Sequence, residues 1–151
     1  MRTLTALALV LATTSFAYAI EKKHHDLKNE SFVLQAGWDN TSSVTQIGGL
    51  NKSGVLQFGG WNKATVLQIT DPTGHNSSLV VSKGFWNTAT VEQITGGSYG
   101  AADNNQATIQ NGWGNTASTT QYNGTGSGKI TNDSLTLQFG AGNKSTVVQY
   151  K

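Results

Sequence analysis

A seven-residue unit that recurs ten times constrains the fold of this chain more than any other feature. The unit reads Asn-x-small-x-(Val/Thr)-x-Gln, with one departure at Ser82 and one at Gln106. The copies begin at Asn29, Asn40, Asn51, Asn62, Asn76, Asn87, Asn104, Asn115, Asn132 and Asn143. The specified positions lie two residues apart, which is the period of a β-strand, so all four side chains share one face. A helix would scatter them around its circumference, and the unit therefore predicts strands.

The spacing between copies groups them in pairs. Within a pair, the closing residues lie eleven residues apart and the link reads Gly-x-x-Asn, whereas the steps between pairs vary and hold insertions such as Asp71-Pro72-Thr73. The linking glycines are Gly37, Gly59, Gly84, Gly112 and Gly140. Glycine allows a tight arc its positive φ, and Asn tolerates the same region. Residues 29–150 are thus predicted to form ten short strands in five strand–arc–strand rungs, at 29–46, 51–68, 76–93, 104–121 and 132–149.

A single rung cannot bury its two inward rows, but a rung stacked roughly 4.8 Å above it pairs the backbone and aligns identical side chains. Each carboxamide carries donors and an acceptor, so stacked amides can satisfy one another, whereas a buried unpaired amide costs about 1–3 kcal/mol. We therefore expect an all-β protein, a β-solenoid with amyloid-like cross-β stacking. The predicted ladder consists of Gln35, Gln46, Gln57, Gln68, Gln93, Gln110, Gln121, Gln138 and Gln149 with Asn40, Asn62, Asn87, Asn115 and Asn143. We expect no capping element at either end, so that exposed strand edges can add another molecule.

The first nineteen residues have the layout of a secretory signal peptide. Arg2 supplies a positive start, residues 4–12 are apolar, and Ala17-Tyr18-Ala19 is a small-x-small cleavage site. The mature chain is expected to begin at Ile20, with a short charged tail or targeting segment at 20–28. No later segment approaches the length that spans a bilayer, so the sequence predicts a secreted protein that does not span the membrane.

Composition argues against several functional classes. Loss of Arg2 with the leader leaves nine lysines against eight acidic residues, too few and too dispersed for a nucleic-acid interface. The chain has no cysteine, His75 is the only histidine beyond the tail and lies in an insertion, and the glycines are periodic rather than arranged as a phosphate loop. Neighbouring His24 and His25 supply too few fixed ligands for a metal. We predict no enzyme activity and no catalytic, cofactor or metal site.

The pattern Ser-x-x-x-x-x-Gln-x-Gly-x-x-Asn-x-Ala-x-x-x-Gln resembles the curlin repeat of bacterial curli fibres. The match is clearest at 57–68, is close at 110–121 and 138–149 (where Ser145 replaces Ala), and the resemblance covers 29–150. It implies secretion by a Gram-negative bacterium, through the periplasm and a dedicated outer-membrane pore. It also implies pilus-like extracellular amyloid fibres on the cell surface, with roles in biofilm matrix and adhesion. The implied partners are further copies of the chain, a nucleating minor subunit and the pore.

Two alternatives stay open. The regular ending Val147-Val148-Gln149-Tyr150 resembles a major subunit more than the minor nucleator. A monomeric secreted solenoid that binds carbohydrate or ice is the second alternative. Four tryptophans near the arcs could bind a sugar, but ring stacking along the arc edge is the favoured interpretation. They are Trp38, Trp61, Trp86 and Trp113.

Overall fold

The computed structural model describes residues 28–96, 102–124 and 128–151. This part of the chain is all-β and contains no helix, hence none that could cross a membrane. The predicted signal peptide, the tail up to residue 27 and most of the insertions at 96–101 and 124–128 lie outside the described residues.

Eight strands form one sheet in which every pairing is parallel. They are β1 (Glu30–Trp38), β2 (Thr41–Gly60), β3 (Lys63–Phe85), β4 (Thr88–Thr95), β5 (Ala102–Trp113), β6 (Thr116–Asn123), β7 (Ile130–Ala141) and β8 (Lys144–Tyr150).

The pairings form two parallel series, here called the first face and the second face. The first face stacks 30–38, 52–60, 77–85, 105–113 and 133–141 in that order. The second face stacks 41–48, 63–70, 88–95, 116–123 and 144–150. The chain alternates between the faces as it rises, which is the course of a β-solenoid. The predicted all-β solenoid is confirmed.

The expectation of ten short strands is wrong, because β2 and β3 each span two of the predicted strands. The return segments after the first two repeats stay hydrogen-bonded to each other, from Ile47 opposite Ile69 to Leu50 opposite His75. A register shift between Gly48 and Leu50 accommodates the longer second return. The later returns do separate strands, between β4 and β5 and between β6 and β7.

The core lies between the two faces and follows the two-residue period. In β4, inward residues are buried and outward residues are partly exposed, apart from exposed Thr90. A narrow apolar stripe is formed by Val55, Ala64, Val66, Val80, Ala89 and Val91, against which Val44 packs. Buried Asn and Gln side chains flank this stripe, so much of the interior is polar and must be held by hydrogen bonds.

Candidate functional site

The closing glutamines of the second face form a continuous hydrogen-bonded ladder. The ladder runs through Gln46, Gln68, Gln93, Gln121 and Gln149. Each Nε2 donates to the Oε1 of the next glutamine, over 2.8, 2.8, 2.8 and 2.7 Å in that order. The three middle side chains are fully buried. Nε2 of each glutamine also donates to a backbone carbonyl across the interior, as from Gln93 to Ser77 at 3.0 Å.

The corresponding ladder of the first face is interrupted at Ser82. Gln35 donates to Gln57 at 2.6 Å, and Gln110 donates to Gln138 at 3.0 Å. Ser82 stands between these pairs, and its hydroxyl donates to Gln110 Oε1 at 3.1 Å. Gln57 is fully buried, and its Nε2 has no hydrogen-bond partner among the described residues. The shorter Ser82 side chain therefore leaves one amide of the ladder unsatisfied.

The asparagines form two more ladders. The predicted arc asparagines Asn40, Asn62, Asn87, Asn115 and Asn143 are joined in sequence by Nδ2-to-Oδ1 bonds of 2.8–3.0 Å. The backbone N–H of each upper asparagine also donates to the Oδ1 below it, as from Asn87 to Asn62 at 3.1 Å.

A second asparagine ladder was not among the predicted site residues. It joins Asn29, Asn51, Asn76, Asn104 and Asn132 at 2.8–3.1 Å. The signal was present in the sequence, since these residues open the other five copies of the repeat. Reasoning that concentrated on the glycine-linked arcs passed over them.

The glutamine and asparagine ladders run in opposite directions. Taking β1 as the lower end and β7 with β8 as the upper end, each glutamine Nε2 donates upward. Each asparagine Nδ2 donates downward, as from Asn143 to Asn115 at 2.8 Å. The two ends of the solenoid therefore present different sets of hydrogen-bonding groups.

The five predicted arc glycines take φ values of +118°, +110°, +109°, +134° and +95° in chain order. At Gly84, a Cβ would collide with the carbonyl oxygen of Gly112 in the arc above, and Gly37, Gly59 and Gly112 meet their upper neighbours in the same way. Glycine is thus required twice, by its backbone conformation and by the close approach of the arcs.

The expectation that the arc asparagines themselves take positive φ is not met. The left-handed conformation falls on the residue before each of them, at Asp39, Trp61 and Trp86 with φ of 53–54°, and at Gly114 and Gly142 with φ of 64° and 68°. The arc asparagines act through their side chains, which bond backbone carbonyls of the arcs. Asn62 Nδ2, for example, donates to the carbonyl of Gly84 at 2.9 Å.

An aromatic row follows the arcs, as the ring-stacking interpretation predicts. Trp61 and Trp86 lie 5.1 Å apart and are nearly coplanar at 14°, and Trp86 lies 5.0 Å from Trp113. Trp38 meets Trp61 edge-on at 6.0 Å. Phe85, which the sequence reasoning missed, joins the row 5.7 Å from Trp38. Because the rings of Trp61 and Trp86 face each other, the faces that a sugar would need are partly used within the row.

Charged groups lie apart from the ladders. Lys52 pairs with Glu30 at 3.8 Å, and Asp103 bonds His75 at 3.0 Å and Lys129 at 3.4 Å. The described residues contain no group of three or more potential ligands that could hold a metal ion.

Comparison of the chain with models of known families, with curated proteins and with solved structures finds no match. The resemblance to curlins therefore rests on the repeat residues themselves.

Proposed function

We propose that the chain is a structural subunit of secreted amyloid-like fibres and assembles by stacking copies end to end. The observation that carries this proposal is the continuity of the amide ladders. Each level repeats the same side-chain bonds with the level above, and the outer groups of the end levels match those used inside. A further copy would extend the ladders by the same contacts.

The proposal treats the solenoid as five equivalent rungs. Its support is that each face pairs five segments in register, with closing glutamines opposite one another wherever the repeat keeps them. Ser82 takes that place in the third rung, opposite Gln57 and Gln110. The division assigns one copy of the repeat on each face to each rung.

Exposed strand edges support the addition of further copies. Within the described part, β1 pairs only with β2, β7 only with β5, and β8 only with β6. All nine residues of β1 are exposed. Unpaired edges of this kind offer a row of backbone donors and acceptors to another chain.

The extracellular setting comes from the resemblance to curlins and from the leader-like residues 1–19. On that basis the proposed fibres lie on the surface of a Gram-negative bacterium and serve biofilm matrix and adhesion. A nucleating minor subunit and an outer-membrane secretion pore are the proposed partners. The chain is proposed as the major subunit.

Fibre formation is tested with the purified chain. We expect thioflavin fluorescence to rise over time, unbranched fibres in electron micrographs, and a meridional diffraction spacing of about 4.8 Å. A folded β-rich protein that stays monomeric at high concentration would contradict the proposal. That outcome would favour a monomeric binding module, which carbohydrate arrays and ice-recrystallisation assays would then examine.

A further inference from the structure

The two ends of the solenoid carry complementary amide groups. At the upper end, Gln138 and Gln149 keep Nε2 groups whose upward direction is unused, because the ladder bonds they make come from below. At the lower end, Gln35 and Gln46 make no hydrogen bond through Oε1 within the described residues. Upper donors thus match lower acceptors.

The asparagines match in the opposite sense. Oδ1 of Asn132 and of Asn143 accepts no hydrogen bond within the described residues, whereas every lower asparagine oxygen in their ladders accepts one from above. Asn29 and Asn40 are the lowest members, and they have no asparagine below them. A copy placed above could therefore donate downward from its Asn29 and Asn40.

Gly140 shows which surface is left open. A Cβ at each lower arc glycine would collide with the carbonyl oxygen of the arc above, but one at Gly140 would approach only Asn143 Nδ2, at 3.9 Å. Gly140 nevertheless keeps a φ of +95°. Its close-approach requirement is therefore unused within one chain.

We propose that the upper end, formed by β7 and β8, binds the lower end of a second copy in continued register, with Gly140 directly below Gly37 of that copy. The inference rests on the proposed fibre function and specifies the interface that builds the fibre. Four side-chain amide bonds cross the junction, two from glutamine and two from asparagine. The same number joins 105–123 to 132–149 within one chain. Growth is head to tail, and one end cannot replace the other.

A methyl group at residue 140 tests the upper surface. Gly140→Ala meets no close contact within the chain, but in the fibre its Cβ would strike the carbonyl oxygen of Gly37 in the next copy. We expect a folded monomer whose fibre elongation is slower by about tenfold or more. The matched control is Gly142→Ala, since non-glycine residues occupy the equivalent left-handed position at Asp39, Trp61 and Trp86. The control is expected to assemble like the unmodified chain.

Gln35→Lys tests the lower surface and does not depend on backbone strain. Lysine keeps a donor for Gln57 Oε1 but has no acceptor for Gln138 of the copy below. This variant should also fail to form fibres alone. Its upper end remains intact, as does the lower end of Gly140→Ala.

Mixing the two blocked variants gives the sharpest result. Gln35→Lys can bind only through its upper end and Gly140→Ala only through its lower end, so the mixture should give one-to-one dimers and no fibres. Analytical ultracentrifugation and electron microscopy measure both. Fibres from Gly140→Ala alone at the unmodified rate, or a mixture without dimers, would overturn the inference. If the unmodified chain itself forms no fibres, the proposed function fails instead.

Discussion

Two buried glutamines in equivalent repeat positions should respond very differently to the same substitution. Gln93 and Gln57 are both fully buried and both close a repeat. Gln93 accepts a bond from Gln68 and donates to Gln121, to the Ser77 carbonyl and to the Asn104 carbonyl. Gln57 accepts one bond, from Gln35, and its Nε2 is unpaired among the described residues.

The expected magnitudes follow from these partners. Gln93→Leu removes four hydrogen bonds at about 1 kcal/mol each, and the more favourable burial of leucine offsets part of this, leaving a loss of about 3 kcal/mol. Gln57→Leu removes one bond, whose donor is on an exposed residue that can turn to water, and it also removes an unpaired buried amide worth about 1–3 kcal/mol. Its net effect should be close to zero or slightly stabilising.

Urea unfolding of the freshly purified monomer, followed by tryptophan fluorescence, measures the difference. With a slope of about 2 kcal/mol/M, the midpoint of Gln93→Leu should fall by about 1.5 M and that of Gln57→Leu should hardly move. Equal losses for the two variants would refute the reasoning, because burial and chemistry are the same and only the hydrogen-bond partners differ.

Two further substitutions test the ladder and the arcs. Ser82→Gln should complete the first-face ladder and raise the free energy of unfolding by about 1 kcal/mol, a gain that should disappear when Gln57 is already leucine; an additive double-mutant cycle in urea would contradict this. Gly84→Ala should lower the free energy of unfolding by about 3 kcal/mol, because its φ is +109° and its Cβ would strike the Gly112 carbonyl oxygen. An unchanged thermal midpoint for this variant would show that the arcs can separate.

The repeat carried most of the fold. A two-residue period over ten copies left no helical alternative, and the glycine links located the arcs. Sequence pattern could not locate the left-handed residue of each arc, since Asp39, Trp61 and Trp86 share no common side-chain type. It also divided β2 and β3 into shorter strands, because whether a return segment keeps its ladder bonds depends on the neighbouring return and not on its own residues.

The sequence by itself determined that the chain is built from strands and that like residues can stack, because a period of two and a constant step bring identical side chains to equivalent positions. Only the tertiary structure decided the direction of each amide ladder and the loss of a partner at Gln57. A carboxamide can point its donor up or down with the same residue name. The choice is made by the carbonyls across the interior, which are adjacent only after the two faces have packed together.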